Sequence, residues 1–152
     1  MDITIEGIGK RNAAKLEKAA RFFASHLLHP RTIPKIVLDI EVCKKLDVLA
    51  ECINEDDTKN PRWFTINIRR QDDIEEMIKS LAHEMVHVKQ YAKNELAKHL
   101  RVARGGFSVG TKWHGEWWKP KKNENHYWDA PWEIEAYGRE VGLYHKWVEY
   151  DR

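Results

Sequence analysis

Two hydrophobic periods organise the chain. Between Arg11 and Leu28, the residues Leu16, Ala19, Ala20, Phe23 and Leu27 recur at helical spacing. His29-Pro30 closes that segment, because proline lacks an amide donor and its ring clashes with the preceding turn. Lys35 to Val42, Val48 to Ile53 and Trp63 to Ile68 are short, rich in β-branched and aromatic residues, and separated by polar or proline-bearing turns, which predicts strands. The acidic run Asn54-Glu55-Asp56-Asp57 reads as a hairpin loop, since it lacks the ligand spacing of a calcium-binding EF-hand.

The helical period returns with Ile74, Met77, Ile78, Leu81, Ala82, Met85 and Val88, predicting an amphipathic helix from about Asp72 to about Lys93. Asp72 followed by Glu75 resembles a capping box, and Asp73 and Glu76 add negative charge where the helix dipole favours it. A third long helix opens at Pro131, where a first turn tolerates proline, and continues through Val141, Leu143, Tyr144, Trp147 and Val148. Between these helices, residues 93–129 have no regular period. Gly105-Gly106, Gly110 and Gly115 break the segment, and Thr111 to Trp118 suggests a hairpin. The expected fold class is α+β, with a short mixed sheet, in one domain spanning residues 1–152.

Composition narrows the class. Of 152 residues, 42% are hydrophobic and 33% charged, which suits a water-exposed chain with one sizeable core. No apolar stretch approaches a membrane span, and Met1-Asp2-Ile3-Thr4 lacks the basic and apolar regions of a signal peptide. A cytoplasmic monomer without membrane contact is therefore expected. The two cysteines, Cys43 and Cys52, form no CxxC pair and read as core thiols.

Candidate chemistry is concentrated in His83-Glu84-Met85-Val86-His87. One helical turn separates the two imidazoles, so they share a face and can grip one ion, while Glu84 comes round beside the metal, where it can hold a water and take its proton. This is the HExxH pattern of zinc-dependent peptide hydrolases. The residue frequencies of this chain would produce such a pattern by accident with a chance of about 4%. The flanking Leu81, Ala82, Met85, Val86 and Val88 are apolar, as a buried motif helix requires.

A catalytic zinc site needs a third protein ligand. The metzincin continuation would place Gly at 90 and His at 93, and Gln90 and Lys93 exclude it. Candidates are His99, His114, His126 and His145, or a carboxylate on the third helix. There Glu133 and Glu135 lie about 200° apart around the axis, so only one of them can face the metal.

With Glu133 followed by Ala136, the chain resembles the gluzincin clan of metallopeptidases. It is most similar to the smallest members, the minigluzincins and related phage or bacterial proteins often labelled SprT-like. The resemblance spans roughly Arg62 to Tyr144 and implies a zincin-like domain with His83, His87 and Glu133 as zinc ligands and Glu84 as general base. It departs from the clan at Tyr137, where Asp or Asn commonly stands. The cysteine-rich ribbon of true SprT proteins cannot be built here either. The clan also implies that the strand before the motif helix, with Thr65, Ile66 and Asn67, forms the cleft rim as an edge strand and pairs with an extended peptide. The developing oxyanion needs a further donor, and Tyr137, one turn beyond Glu133, is a candidate beside His126, Tyr127 and His145.

A different reading attaches to Lys93 to Lys122. Eight Lys or Arg stand there against Glu95 and Glu116, a local balance of +6 on a chain of net +2. Basic residues interleaved with tryptophan suit single-stranded nucleic acid, although a solvated basic face is the commoner origin of such a pattern. The tryptophans there, with Trp128 and Trp132, are expected to pack as a small aromatic core over the third helix.

Overall fold

Ile3 and Ile5 alternate with Asp2, Thr4 and Glu6, a period of two that makes the first strand, β1 (Asp2–Glu6), an element the sequence reading passed over. In the computed structural model, which describes residues 1–152 except the side chain of Ala103, it is followed by α1 (Lys10–Leu27) and a 3-10 turn at Ile33–Lys35. Next come β2 (Val37–Cys43), β3 (Ala50–Asn54), β4 (Trp63–Arg69) and α2 (Ile74–Ala92). The chain ends with β5 (Leu96–Ala103), β6 (Gly106–Trp113), β7 (Glu116–Trp117) and α3 (Pro131–Tyr150). The fold is α+β. No helix among the described residues is long and apolar enough to cross a membrane.

The first four strands form one sheet in the order β1-β2-β4-β3. The β1–β2 and β2–β4 pairs are parallel and the β4–β3 pair antiparallel. Leu38, Ile40 and Val42 on β2, with Phe64, Ile66 and Ile68 on β4, point to one face and are buried there against α1 and α2. Gly7 ends β1 at φ 81°, and a Cβ there would lie 2.2 Å from the Val42 carbonyl oxygen, so only glycine allows this approach. The third helix packs on α2 and α1, with Ala136, Leu143 and Trp147 buried and the Trp147 ring against Phe22 and Phe23.

Three expectations need correction. The rim assigned to Thr65, Ile66 and Asn67 is not an edge: Thr65 stands between Asp39 and Ile53, Ile66 between Ile40 and Cys52, and Asn67 between Glu41 and Glu51. The edge strands are β1 and β3, and the antiparallel return places β3 outside β4. The α2 cap is Asp73, which accepts from the Glu75 amide at 2.9 Å. Glu75 itself pairs with Lys15 on α1 and closes no capping box. Finally, residues 96–117 are regular: β5, β6 and β7 form an antiparallel sheet with Gly105 in its first turn at φ 97°.

Candidate metal centre

The motif histidines sit in the middle of α2 because both flanks of that helix are committed to the core. Met77, Ile78, Leu81, Ala82, Met85, Val86 and Val88 are buried, leaving His83, Glu84 and His87 as the face turned toward α3. On α3 the first turn presents Glu133. Its Oε2 lies 3.2 Å from His83 Nε2 and its Oε1 3.4 Å from His87 Nε2. Donor atoms from these three buried residues all lie within 4.8 Å of one another.

The protons of the two imidazoles are fixed from behind. Gln90 donates through Nε2 to the Trp132 carbonyl at 2.9 Å and to Glu135 at 3.0 Å, so its Oε1, 2.8 Å from His87 Nδ1, is an acceptor. That makes Nδ1 the protonated nitrogen of a neutral His87 and leaves the Nε2 lone pair facing Glu133. His83 Nδ1 likewise meets Glu140 Oε2 at 2.7 Å. A carboxylate behind a ligating histidine fixes its tautomer and raises its basicity.

Two imidazole nitrogens and a carboxylate form a donor set that zinc accepts. Ligands each about 2 Å from a tetrahedral ion lie about 3.3 Å apart. The 3.2 and 3.4 Å separations, taken through the two oxygens of Glu133, are of that order, so the three residues could hold one metal ion.

Glu135 faces away from the cluster. Its carboxylate takes Lys89 Nζ at 2.5 Å, Gln90 and Arg139, and Lys89 also reaches Glu95 at 2.7 Å. His99, His114, His126 and His145 are all exposed and lie outside the cluster. Of the two glutamates left open by helix geometry, Glu133 is the one that meets the histidines.

The site opens into a cavity of about 770 Å³. Its walls include Glu84, the stretch Val48 to Cys52 that leads into β3, Tyr127 and Tyr137. The Tyr137 ring lies 4.5 Å from that of His83, and its hydroxyl is 3.0 Å from the Tyr127 hydroxyl. Thr65, Ile66 and Asn67 line no part of the cavity, and Ile66 is fully buried in the core.

Burial raises the Glu84 pKa, and the neighbouring histidines only partly offset it. For Glu133 burial also opposes the charge, but the two imidazoles hold its pKa down at about 2. Burial likewise opposes charge on His83 and His87, and the surrounding carboxylates nevertheless raise both. Tyr127 is pushed up by burial, by its bond to Tyr137 and by the Glu133 charge, so it stays a protonated donor.

No family model, curated protein or solved structure matches this chain.

Sequence reasoning missed Glu140 altogether and used Gln90 only to exclude another zinc pattern. Glu140 stands seven residues after Glu133, and two helical turns return a residue to the same face, so that spacing was its available signal. The expected aromatic core forms in part: Trp132 lies 6.3 Å from Trp113 and 4.9 Å from Trp118, centroid to centroid, while Trp117 is exposed. Trp128 stays exposed beside Tyr137.

Proposed function

We propose that this chain is a zinc-dependent endopeptidase of gluzincin type, acting on extended peptide or protein segments. The observation that carries the reading is the meeting of His83, His87 and Glu133 from two helices at ligand spacing, with Glu84 opening into the same cavity.

Zinc held by this donor set supplies Lewis acidity, which polarises a carbonyl and acidifies water. Glu84 accepts one proton from the attacking water as oxygen bonds to the scissile carbon. It then delivers that proton to the leaving nitrogen as the C–N bond breaks. Burial strengthens Glu84 for this task by making its carboxylate more basic. When two tyrosine hydroxyls hydrogen-bond to each other, the accepting hydroxyl keeps its own proton free. The Tyr127–Tyr137 pair can therefore offer one donor to the developing oxyanion.

Substrate backbone finds its partner in β3, whose side away from β4 is unpaired and whose Ala50, Glu51 and Cys52 border the cavity. Edge-strand addition binds peptide through main-chain hydrogen bonds with little dependence on sequence. The nucleic-acid reading has weaker support: Arg101 and Lys112 each lie 4.8 Å from the Trp117 ring, on which a base would have to stack.

The test is cleavage of an unfolded protein such as casein by the zinc-loaded chain and by Glu84→Gln. The variant is expected to keep its zinc and to lose at least about a hundredfold in rate. Equal cleavage by both, or none by the zinc-loaded wild type, would overturn the proposal.

A further inference from the structure

The β5–β6 hairpin has two faces of opposite character, one polar and one largely apolar. Strand register places Arg101 opposite Ser108, His99 opposite Gly110 and Ala97 opposite Lys112 on one side. On that side Arg101 and Lys112 lie over Trp117 from β7, while His99 and Ser108 are exposed. Gly110 is glycine there for want of room, because a Cβ would come within 2.5 Å of Arg101 Cδ and 2.6 Å of Trp117. The other side carries the cross-strand pairs Leu96–Trp113, Lys98–Thr111, Leu100–Val109 and Val102–Phe107.

Along that second face the environment changes in order. Leu96 is buried and Trp113 packs against the core. Lys98 and Thr111 come next and line the catalytic cavity. Beyond them Leu100, Val102, Phe107 and Val109 are between 69% and 82% exposed. Strand side chains share a face at every second residue, so the apolar surface continues the cavity wall for about 14 Å from Lys98 to Val102. Two adjacent apolar cross-strand pairs left in water at the mouth of a cleft form the kind of patch that marks an interaction site.

We infer that this hairpin face is a substrate-binding arm. It selects polypeptides that carry an apolar stretch of about four residues on one side of the cleaved bond, and the inference rests on the peptidase reading of the cavity. The occupant follows from continuity: a chain held against β3 and leaving the cavity past Lys98 and Thr111 meets Leu100 and Val109 next, then Val102 and Phe107. A second copy fits less well, since an isologous contact through this face would also have to seat the Lys98 charge of both chains.

The experiment uses zinc-loaded Glu84→Gln protein with the natural hairpin, and the same protein with Leu100, Val102, Phe107 and Val109 all changed to serine. Binding is read by fluorescence anisotropy of two labelled peptides that share one cleft-filling core. One extends it with Val-Leu-Phe-Val and the other with four serines. The natural hairpin is expected to bind the apolar peptide about tenfold tighter than the serine peptide, and the quadruple variant to bind both alike. Because all four positions are exposed, the variant should keep its zinc content and circular dichroism spectrum.

Equal binding of both peptides by the natural hairpin would overturn the inference, as would a preference that survives in the quadruple variant. Self-association in sedimentation, or pelleting with phosphatidylserine vesicles, would also overturn it if either is lost in the variant while peptide binding is unchanged. Failure of the peptidase reading shows separately, as no cleavage of either peptide by the zinc-loaded wild type while the binding preference persists.

Discussion

The Nδ1 protons of His83 and His87 decide which nitrogen each ring offers to an ion, and Glu140 and Gln90 hold those protons. Glu140→Ala is expected to weaken zinc binding by 10- to 100-fold, read by competition with a chromophoric chelator, while the helices remain intact by circular dichroism. Unchanged affinity would mean that the 2.7 Å contact does not orient the His83 ring. At this scale the sequence was legible wherever one helix carried the whole geometry: His83, Glu84 and His87 follow from a single turn of α2. Glu140 was not legible, because its role depends on which face of α3 meets α2, and two residues 57 apart in the chain set that contact. Tyr137, one of the four oxyanion candidates and one turn beyond Glu133, stands beside the His83 ring.

Among the elements, α2, β5 and α3 are tied together by Lys89, which is buried and pairs with Glu95 just before β5 and with Glu135 on α3. Lys89→Met would leave both carboxylates without this cation in a largely buried setting. The change should destabilise the chain by about 3 kcal/mol in urea unfolding and lower zinc affinity through looser seating of α3. A loss below about 0.5 kcal/mol would assign α3 docking to the apolar contacts alone. The helices were legible because their period is local. Strand order was not, since nothing within Trp63 to Ile68 records that β2 and β3 lie on either side of it. The β5–β6 hairpin was obscured for a related reason: charged residues on its polar face and glycines in its turn and strand hide the alternation of Leu96, Leu100 and Val102.

For the molecule as a whole, the convergence of two histidines and a glutamate ties stability to pH and to metal. In the metal-free chain the raised histidine pKa values contribute stability that is present below about 6.5 and lost as pH rises through those raised values. Glu133, held at about 2, contributes stability that is present above about 4.5 and lost as pH falls toward 2. Glu84, raised by burial, contributes stability that is lost as pH rises from about 4.5 to its own raised value, in the same direction as the histidines. Chelator-treated protein should therefore melt at a lower temperature at about pH 8 than at about pH 6. One equivalent of zinc should restore more at the higher pH, where the imidazoles are already neutral. A melting temperature of the chelated chain that rises between those pH values would contradict this account.

The most direct measurement is anomalous diffraction at the zinc edge from crystals grown with one equivalent of zinc per chain. A single peak bonded to His83 Nε2, His87 Nε2 and the Glu133 carboxylate, with no fourth protein ligand, is the predicted result. No peak there, or an ion held through Glu135 or another histidine, would contradict it.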